Sequence, residues 1–481
     1  MLYLPEELLS QICYHLRCTG DYAQLVHVQR HDQLEHAGTN LQTLRSISLS
    51  SRACNRAAHP HLYFGLDLRN QYGRGIPSRL QLFLRTVLER PKFATALQQL
   101  HTEAWEDGSE VLEKDTTPLD AHILQLCKTA VENLALSQQI RDRIQQGLEG
   151  YSTDAELTLL LCLCQNVKLF DFTAGIDYDN SILSDVLKET SNTGSSPTVQ
   201  FLSHLTELGT EHWDTEYTSS LDRLLPYLQL PSLQTFRGFA MSCDTEEEGL
   251  IPPSVRSDLV HLHLTGSLVD DAGVRCLLRT FPRLQTLEIE LGMSTRGASR
   301  MAYDEMGKAL RQHGSKLCRL VLNVSEAFFV DDEDESGMLG SLKELINLHT
   351  ISVPFRAFAG PPPDSDDEDD EGVLNGPLLV DLLPSSLKVL HISNLRDGSP
   401  GDNINEWLDH QLEPILREER LCDLNTFKVQ RAKKCSAQRM EQFSECAARN
   451  GWDAAKSNDF WFIVKKQRRE VDGVHQASTA S

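Results

Sequence analysis

Leu259-Val260-His261-Leu262-His263-Leu264 is the clearest copy of the sequence pattern that decides the fold. Its three leucines stand at positions i, i+3 and i+5. The last two leucines are two residues apart, so on a β-strand both point to the same face, while the first leucine anchors the turn that leads into the strand. The pattern therefore predicts a short strand with one buried face.

Nine further copies of this apolar phrase, complete or partial, occur along the chain. The complete copies are Val167/Phe170/Phe172, Leu284/Leu287/Ile289, Leu317/Leu320/Leu322, Leu348/Ile351/Val353, Leu387/Leu390/Ile392 and Leu424/Phe427/Val429. The partial copies are Leu97/Leu100, Leu205/Leu208 and Leu233/Phe236. A fixed phrase that recurs every few tens of residues is typical of a repeat protein.

A helical run precedes most copies of the phrase. These runs are Leu157 to Leu163, Leu221 to Leu228, Val274 to Thr280, Met306 to Gln312 and Leu378 to Leu383. The first run opens with Thr153-Asp154-Ala155-Glu156, which has the pattern of a capping box. Because only a crossover can connect successive strands that each follow a helix, we expect neighbouring strands to be parallel.

The spacing of the phrases suggests a family. From Phe236 to Phe427, the middle positions of successive copies lie 25 to 39 residues apart, at or above the upper end of the range for leucine-rich repeats. This part of the chain resembles irregular leucine-rich repeats. The resemblance implies a solenoid with a parallel strand face and outer helices.

A different pattern occupies the N-terminus, Leu4-Pro5-Glu6-Glu7-Leu8-Leu9-Ser10-Gln11-Ile12-Cys13-Tyr14-His15-Leu16. Pro5 is suited to open a helix, since its missing N–H would be unsatisfied in the first turn anyway. Leu8, Leu9, Ile12 and Leu16 then form one apolar stripe along that helix. The stripe predicts an amphipathic helix, with either a partner or the interior of its own module against its apolar side.

A second apolar segment follows after a polar interval. Leu41, Leu44, Ile47 and Leu49 lead into the Ser/Arg-rich stretch 50–58 and then into His59-Pro60-His61-Leu62-Tyr63. The residue before a proline avoids helical geometry, so we expect the helix to end near Pro60.

In this order, Leu4-Pro5, the Ile12/Leu16 stripe, the stretch from Leu44 to Arg52 and Leu62-Tyr63 resemble an F-box. The resemblance covers about an eighth of the chain. Two features differ from the family pattern: 24 residues (Arg17 to Asn40) separate the two segments, and Cys54 stands where a bulky aromatic residue is frequent. The resemblance implies docking on a Skp-family adaptor and, through it, a cullin scaffold. The implied adaptor-binding residues are Leu4, Pro5, Leu8, Leu9, Ile12, Leu16, Leu44 and Leu49.

Together these patterns predict an α/β fold. We expect an F-box-like helical module at 1–63, a helical linker with the first irregular repeats at 64–150, a leucine-rich-repeat-like solenoid at 151–430, and a C-terminal cap and tail at 431–481. The stretch 360–373 is Pro-rich and then acidic, which predicts a disordered insertion in one repeat. Within it, Ser365 precedes several acids, a pattern that fits either an acid-directed kinase site or a purely solvating loop.

Charge and cysteine usage narrow the range of functions. With 46 basic and 69 acidic residues the net charge is −23, which disfavours binding to nucleic acid. The twelve cysteines include no Cys-x-x-Cys pair, which favours reduced thiols over disulfides or zinc. The chain has no apolar run of 18 residues. These features favour a cytoplasmic or nuclear protein away from the membrane.

Motifs for catalysis are not evident. The chain contains no phosphate-binding glycine loop, no His-Glu-x-x-His pair and no Gly-x-Ser-x-Gly elbow, so we expect neither an enzyme nor a cofactor or metal site. His261 and His263 alternate with leucines, so they should lie on the outer face of the strand. Candidate substrate-binding residues on that face are His261, His263, Glu288, Glu290, Lys388 and His391.

Two functions remain open on this basis. The first is a substrate receptor of an SCF-type cullin-RING ubiquitin ligase. The second is a leucine-rich-repeat interaction scaffold without a ligase, in which the N-terminal helices only cap the repeats. A hydrolase or transferase would need a polar site assembled by the fold, which the sequence alone does not reveal.

Overall fold

A computed structural model describes most of the chain. The described residues are 4–17, 30–68, 76–102, 119–174, 181–192, 201–212, 217–243, 251–292, 300–324, 335–360, 377–393, 410–411, 413–430, 437–456 and 461–466. The chain divides into two compact units. The first comprises Met1–Met241 and Ser254–Leu259, and the second comprises Ser242–Pro253 and Val260–Ser481.

The first unit begins with three helices, α1 (Glu6–His15), α2 (Arg30–Ser50) and α3 (Arg52–Leu62). The structure defines two of their boundaries. The second helix begins at Arg30, well before Leu41, so part of the interval between the two apolar segments is helical. Helix α3 also continues through Pro60 to Leu62.

The rest of the first unit alternates helices and strands. Its elements are β1 (Gly65–Asp67), α4 (Ile76–Glu89), a 3-10 turn (Pro91–Phe93), β2 (Gln99–Thr102), α5 (Ala121–Glu132), α6 (Gln138–Glu149), α7 (Thr153–Leu163), β3 (Leu169–Ala174), α8 (Ile182–Asn192), β4 (Glu207–His212), β5 (Ser219–Ser220), a 3-10 turn (Leu221–Leu224), α9 (Leu225–Leu228) and β6 (Thr235–Phe239). Strands β1, β2, β3, β4 and β6 are neighbours in that order and are all parallel. The phrase side chains Leu100, Phe170, Leu208 and Phe236 are aligned across four of these strands, and each is fully buried.

Helix α7 lies at the centre of the helical layer of this unit, buried from Thr153 to Leu161. Its N-cap is Ser152, whose Oγ accepts a hydrogen bond from the Ala155 backbone N–H at 3.3 Å, so the capping box predicted at Thr153 was wrong by one residue. Glu156 consequently lies inside the helix and is buried. Burial raises the pKa of its carboxyl to about 7, although Gln81 donates a hydrogen bond to it at 2.8 Å.

Strand β7 (Met241–Cys243) follows in the chain, and the second unit then repeats the alternation. Its elements are β8 (His261–Val269), α10 (Asp271–Thr280), β9 (Thr286–Leu291), β10 (Met301–Ala302), α11 (Tyr303–His313), β11 (Arg319–Asn323), β12 (Glu335–Ser336), β13 (Thr350–Pro354), α12 (Arg356–Ala359), α13 (Leu379–Leu382), β14 (Val389–Ser393), a 3-10 turn (Glu419–Leu421), β15 (Thr426–Gln430), α14 (Ala437–Arg449), β16 (Trp452–Lys456) and β17 (Trp461–Lys466).

Parallel strands in chain order form the sheet of the second unit as well. Strands β8, β9, β11, β13, β14 and β15 are successive neighbours, as the phrases predict. The middle phrase residues Leu262, Leu287, Leu320, Ile351, Leu390 and Phe427 are aligned and fully buried. The α/β class and the parallel strands predicted from the sequence are therefore confirmed.

Two parts of this unit depart from the simple alternation. Between β12 and β13 the described residues 337–349 contain no helix, and Leu339, Leu342 and Leu345 fill the interior there. After β15 the sheet ends in antiparallel strands, because β17 pairs with β15 and β16 pairs with β17.

Several sequence expectations lie outside the described residues. They concern the insertion expected at 360–373, of which only residue 360 is described, and the kinase-site pattern at Ser365.

Candidate functional site

The apolar stripe predicted on α1 divides between two sides of the helix. Cys13 is fully buried in a cluster with Leu44, Ala57 and Ala58 from α2 and α3. Leu9 and Leu16 are partly buried against the same cluster. This side of α1 therefore belongs to the interior of the helical module.

The other part of the stripe faces outward. Leu4, Leu8 and Ile12 recur every four residues and are 51%, 45% and 45% exposed. Leu8 and Ile12 lie four residues apart on α1 and are therefore neighbours on its surface, while Leu4 lies just before the Pro5 N-cap. We call Leu4, Leu8 and Ile12 the apolar ridge.

The two predicted adaptor-binding residues on α2 also differ in exposure. Leu44 is 1% exposed and lies in the module's core, where a partner could not contact it directly. Leu49 is 78% exposed. Of the eight predicted residues, Leu4, Pro5, Leu8, Ile12 and Leu49 are exposed, Leu9 and Leu16 are half-buried, and Leu44 is buried.

Polar and aromatic contacts fix α1 against α3. The Arg17 guanidinium lies over the rings of Tyr14 and Phe64, at 4.5 Å and 4.3 Å from their centroids. Its Nε donates a hydrogen bond to Nδ1 of His61 at 2.6 Å, and burial lowers the pKa of that imidazole, with the Arg17 charge adding to the effect. His61 is therefore neutral, because its Nδ1 accepts the hydrogen bond from Arg17. These contacts give α1, which carries the ridge, a defined orientation.

The junction between α2 and α3 is also specified by side chains. Ser51 caps α3, because its Oγ accepts a hydrogen bond from the Cys54 backbone N–H at 3.1 Å. Asn55 donates a hydrogen bond from Nδ2 to the Ser48 carbonyl at 3.1 Å. The Ser/Arg-rich stretch therefore forms a sharp corner between the two helices.

A second candidate surface is the outward side of the sheet in the second unit. The strand register places residues of equal phrase offset in rows across the six parallel strands. Two such rows lie on this side of the sheet, and we call them together the polar face. One row holds His261, Thr286, Arg319, Thr350, Val389 and Thr426, and the other holds His263, Glu288, Val321, Ser352, His391 and Lys428.

Glu288 is the centre of an ion-pair cluster at one end of the polar face. Its carboxylate contacts Nδ1 of His263 at 3.0 Å and the guanidinium of Arg319. The hydrogen bond from His263 and the charged hydrogen bond from Arg319 lower the pKa of the Glu288 carboxyl to about 2, against the effect of burial. In the adjacent row, His261 and Thr286 contact each other at 3.0 Å.

A second cross-strand pair lies towards the other end of the polar face. Ser352 Oγ and His391 Nδ1 are 2.7 Å apart. Burial lowers the pKa of His391 to about 4, and the positive charges of Lys428 and Arg319 add to that effect. The imidazole is therefore neutral at physiological pH.

The sequence-predicted substrate candidates are thus only partly on one surface. His261, His263, Glu288 and His391 lie on the polar face, and Glu290 follows on β9 in register with Asn323. Lys388 is exposed but precedes β14, so it lies outside the strand rows. Sequence reasoning missed Arg319, Ser352 and Lys428, although aligning the phrases by offset would have placed them in the same rows.

The sheet of the first unit carries a shorter polar row. His101 Nδ1 lies 3.3 Å from the Asp171 carboxylate on the neighbouring strand. The next strand has Gly209 at this position, where a Cβ would lie 2.6 Å from Asp171 Oδ1. Beyond it, Arg237 pairs with Glu207. Glycine here leaves the Asp171 side chain its room.

Metal-binding clusters and membrane-spanning helices are both absent from the described residues. No group of three or more His, Cys, Asp or Glu side chains is placed to hold a metal ion. No helix there has both the length and the apolar character needed to cross a bilayer.

The sequence matches no protein-family model, and no curated protein compared with it shows significant similarity.

Proposed function

We propose that this chain is the substrate-recognition subunit of an SCF-type cullin-RING ubiquitin ligase. In this proposal the N-terminal helices act as an F-box and bind a Skp-family adaptor, which connects the chain to a cullin scaffold. The strands that follow act as a leucine-rich-repeat solenoid and hold a protein substrate. The chain itself catalyses no reaction, and it works in the cytoplasm or the nucleus.

The apolar ridge is the observation that carries the proposal. Cys13, Leu9 and Leu16 already connect α1 to the interior of its module. Leu4, Leu8 and Ile12 are not needed there, and about half of each side chain is exposed to water. A line of exposed apolar side chains on a helix is suited to a groove on a partner.

The size of the ridge limits what it can contribute. Fully burying a leucine-sized side chain is worth about 1.5–3 kcal/mol, so burying the exposed halves of three contributes about 2–4 kcal/mol. Micromolar binding requires about 8 kcal/mol. The ridge can therefore act as an anchor, with further contacts from exposed residues such as Leu49 and Leu41.

For the substrate we propose the polar face. Its polar groups already bond to one another, as in the Glu288 cluster and the Ser352–His391 pair. A partner must match these fixed donors and acceptors, which favours selectivity over affinity.

A non-ligase interaction scaffold is the second candidate, and the position of Leu44 favours it. Because Leu44 is buried in the core, the surface left for an adaptor is smaller than the F-box resemblance implies. In the scaffold alternative, α1 to α3 would serve only to close the end of the repeats.

Co-purification with the adaptor separates the two candidates. We expect the wild-type full chain to retain a Skp-family adaptor, and we expect Leu8→Asp with Ile12→Asp to lose it, because charge on the ridge cannot enter an apolar groove. The matched control is Gln139→Asp with Gln146→Asp, which adds two carboxylates at exposed positions of α6, a helix outside the N-terminal module. If the wild type retains no adaptor, or if the ridge variant retains it as well as the control does, the ligase proposal is wrong.

A further inference from the structure

Two buried cysteines meet where β7 ends against α10. Cys243 is the last residue of β7, and Cys276 lies in the second turn of α10. They are 0% and 3% exposed. Strand and helix touch here without intervening side chains, because a Cβ at Gly273 would overlap the Cys243 carbonyl oxygen. Gly273 precedes Cys276 by three residues and therefore lies on the same side of the helix.

The two thiols lie within hydrogen-bonding reach of each other. Cys243 Sγ lies 4.0 Å from the Gly273 carbonyl oxygen, and the Cys243 side chain forms a hydrogen bond with Cys276. Cys276 Sγ lies 3.4 Å from the Ile251 carbonyl oxygen. Each thiol is thus also in contact with a backbone carbonyl, Cys243 with that of Gly273 in α10 and Cys276 with that of Ile251.

A fixed positive charge lies beside the pair. Arg279 Nη2 is 3.5 Å from Cys276 Sγ and also donates a hydrogen bond to the Ile251 carbonyl at 3.2 Å. The hydrogen bond from Cys243 lowers the pKa of the Cys276 thiol to about 6, against burial, and the Arg279 charge adds to the lowering. Cys127 and Cys164, also buried, show the opposite behaviour, since burial raises the pKa of each to about 12.

We propose that Cys243 and Cys276 are a redox modification site that closes to an intramolecular disulfide when hydrogen peroxide oxidises it. The Cys276 thiolate attacks one peroxide oxygen, the O–O bond breaks, and hydroxide leaves, so that Cys276 becomes a sulfenic acid. The Cys243 sulfur then attacks the Cys276 sulfur. Its proton and the sulfenic hydroxyl leave together as water. Two electrons pass from the two sulfurs to one peroxide, which is reduced to two waters.

Contact and burial together make this site selective. The sulfurs have to approach only from hydrogen-bond contact to a bond of about 2 Å. Because both thiols are buried, a small oxidant reaches them far more readily than a bulky disulfide such as oxidised glutathione. The proposal is independent of adaptor binding.

The test uses the reduced full chain, treated with hydrogen peroxide at neutral pH and then alkylated under denaturing conditions. We expect two of the twelve cysteines to resist alkylation. Peptide mapping should link residues 243 and 276, and dithiothreitol should reverse the link. Cys276→Ala should abolish the link, Cys243→Ser, which keeps a hydrogen-bond donor beside Cys276, should trap a sulfenic acid at residue 276, and the control Cys127→Ala should behave as the wild type does. For the wild-type chain, a missing 243–276 link would overturn the proposal. Oxidation of Cys127 and Cys164 to the same extent as Cys276 would overturn it as well.

Two conditions sharpen the test on the wild-type chain. The rate of linking should be nearly constant from pH 7 to 8 and fall about tenfold at pH 5, since it follows the thiolate fraction of Cys276. A roughly tenfold rise from pH 7 to 8 would show an ordinary thiol and overturn the assignment. Oxidised glutathione at the same concentration should form the link much more slowly, and linking at the peroxide rate would contradict a buried pair.

Discussion

The apolar ridge and the polar face both reach the protein surface, but their side chains differ in the bonds that they already make. About half of each of the Leu4, Leu8 and Ile12 side chains is exposed to water. On the polar face, Glu288 bonds to His263 and Arg319, and Ser352 bonds to His391. A partner that covers the ridge gains free energy by removing apolar surface from water. A partner on the polar face gains free energy only if its own hydrogen bonds and ion pairs compensate for those that it breaks.

The largest expected effect on stability is at Leu44, in the core beneath the ridge. Leu44→Ala removes a leucine that is 1% exposed, so we expect a loss of about 2–5 kcal/mol in the stability of the helical module. Leu49→Ala, five residues later and 78% exposed, should change stability by no more than about 0.5 kcal/mol. Hydrogen exchange of α1 to α3, followed by mass spectrometry, measures both. Equal protection in the two variants would mean that Leu44 is not a core residue.

Acid should weaken the polar face through His391. The folded-state pKa of about 4 lies below the ordinary value of 6.5, so folding favours the neutral imidazole. That stability is complete above about pH 6.5 and is lost as the pH falls towards 4. At pH 5 we expect a cost of about 1–2 kcal/mol relative to pH 7.5. Urea unfolding measures it.

Two histidine variants serve as comparisons for that experiment. His391→Gln should lose this part of the pH dependence, because glutamine carries no proton that titrates in this range. His410→Gln, at an exposed position, should retain it. Identical pH profiles for the wild type and His391→Gln would contradict the burial of a neutral His391.

A smaller effect is expected at Glu288. Its folded-state pKa of about 2 lies below the ordinary 4.5, so its contribution is present above about pH 4.5 and is lost as the pH falls towards 2. Because the carboxylate is partly exposed, screening reduces this contribution to about 1 kcal/mol. At pH 7 we therefore expect Glu288→Gln to lower the unfolding free energy by about that amount. Glu344→Gln removes the same charge at an exposed site and should have little effect.

The smallest change in stability is expected on the ridge itself. Ile12→Ala should alter the unfolding free energy by no more than about 0.5 kcal/mol, since the side chain is 45% exposed and lies outside the buried cluster. Thermal unfolding measures it. A loss of 2 kcal/mol or more would show that Ile12 is part of the core and that the ridge is not a free surface.

The repeat phrase predicted the strands well because burial imposes it. Even the partial copies Leu97/Leu100 and Leu205/Leu208 form parallel strands with fully buried phrase residues. These copies are partial only because their third position is not apolar. On β2 and β4, Thr102 and Thr210 fill it and are buried as well.

The sequence alone could not show which residues of the N-terminal stripe are buried and which are exposed. Leu8 and Leu9 are adjacent and chemically identical, but Leu9 packs against the cluster and Leu8 does not. Their difference depends on where α3 crosses α1, which Arg17, Tyr14, Phe64 and His61 determine together. These contacts span more than 40 residues of sequence, beyond the reach of a periodic pattern.

The most direct test of the ridge as a docking surface is the dissociation constant of the purified full chain for a purified Skp-family adaptor. We predict saturable one-to-one binding by the wild type. Leu8→Asp with Ile12→Asp should weaken it by about 100-fold or more, with unchanged circular dichroism. No binding by the wild type, or equal dissociation constants for the wild type and this variant, would contradict the role assigned to Leu4, Leu8 and Ile12.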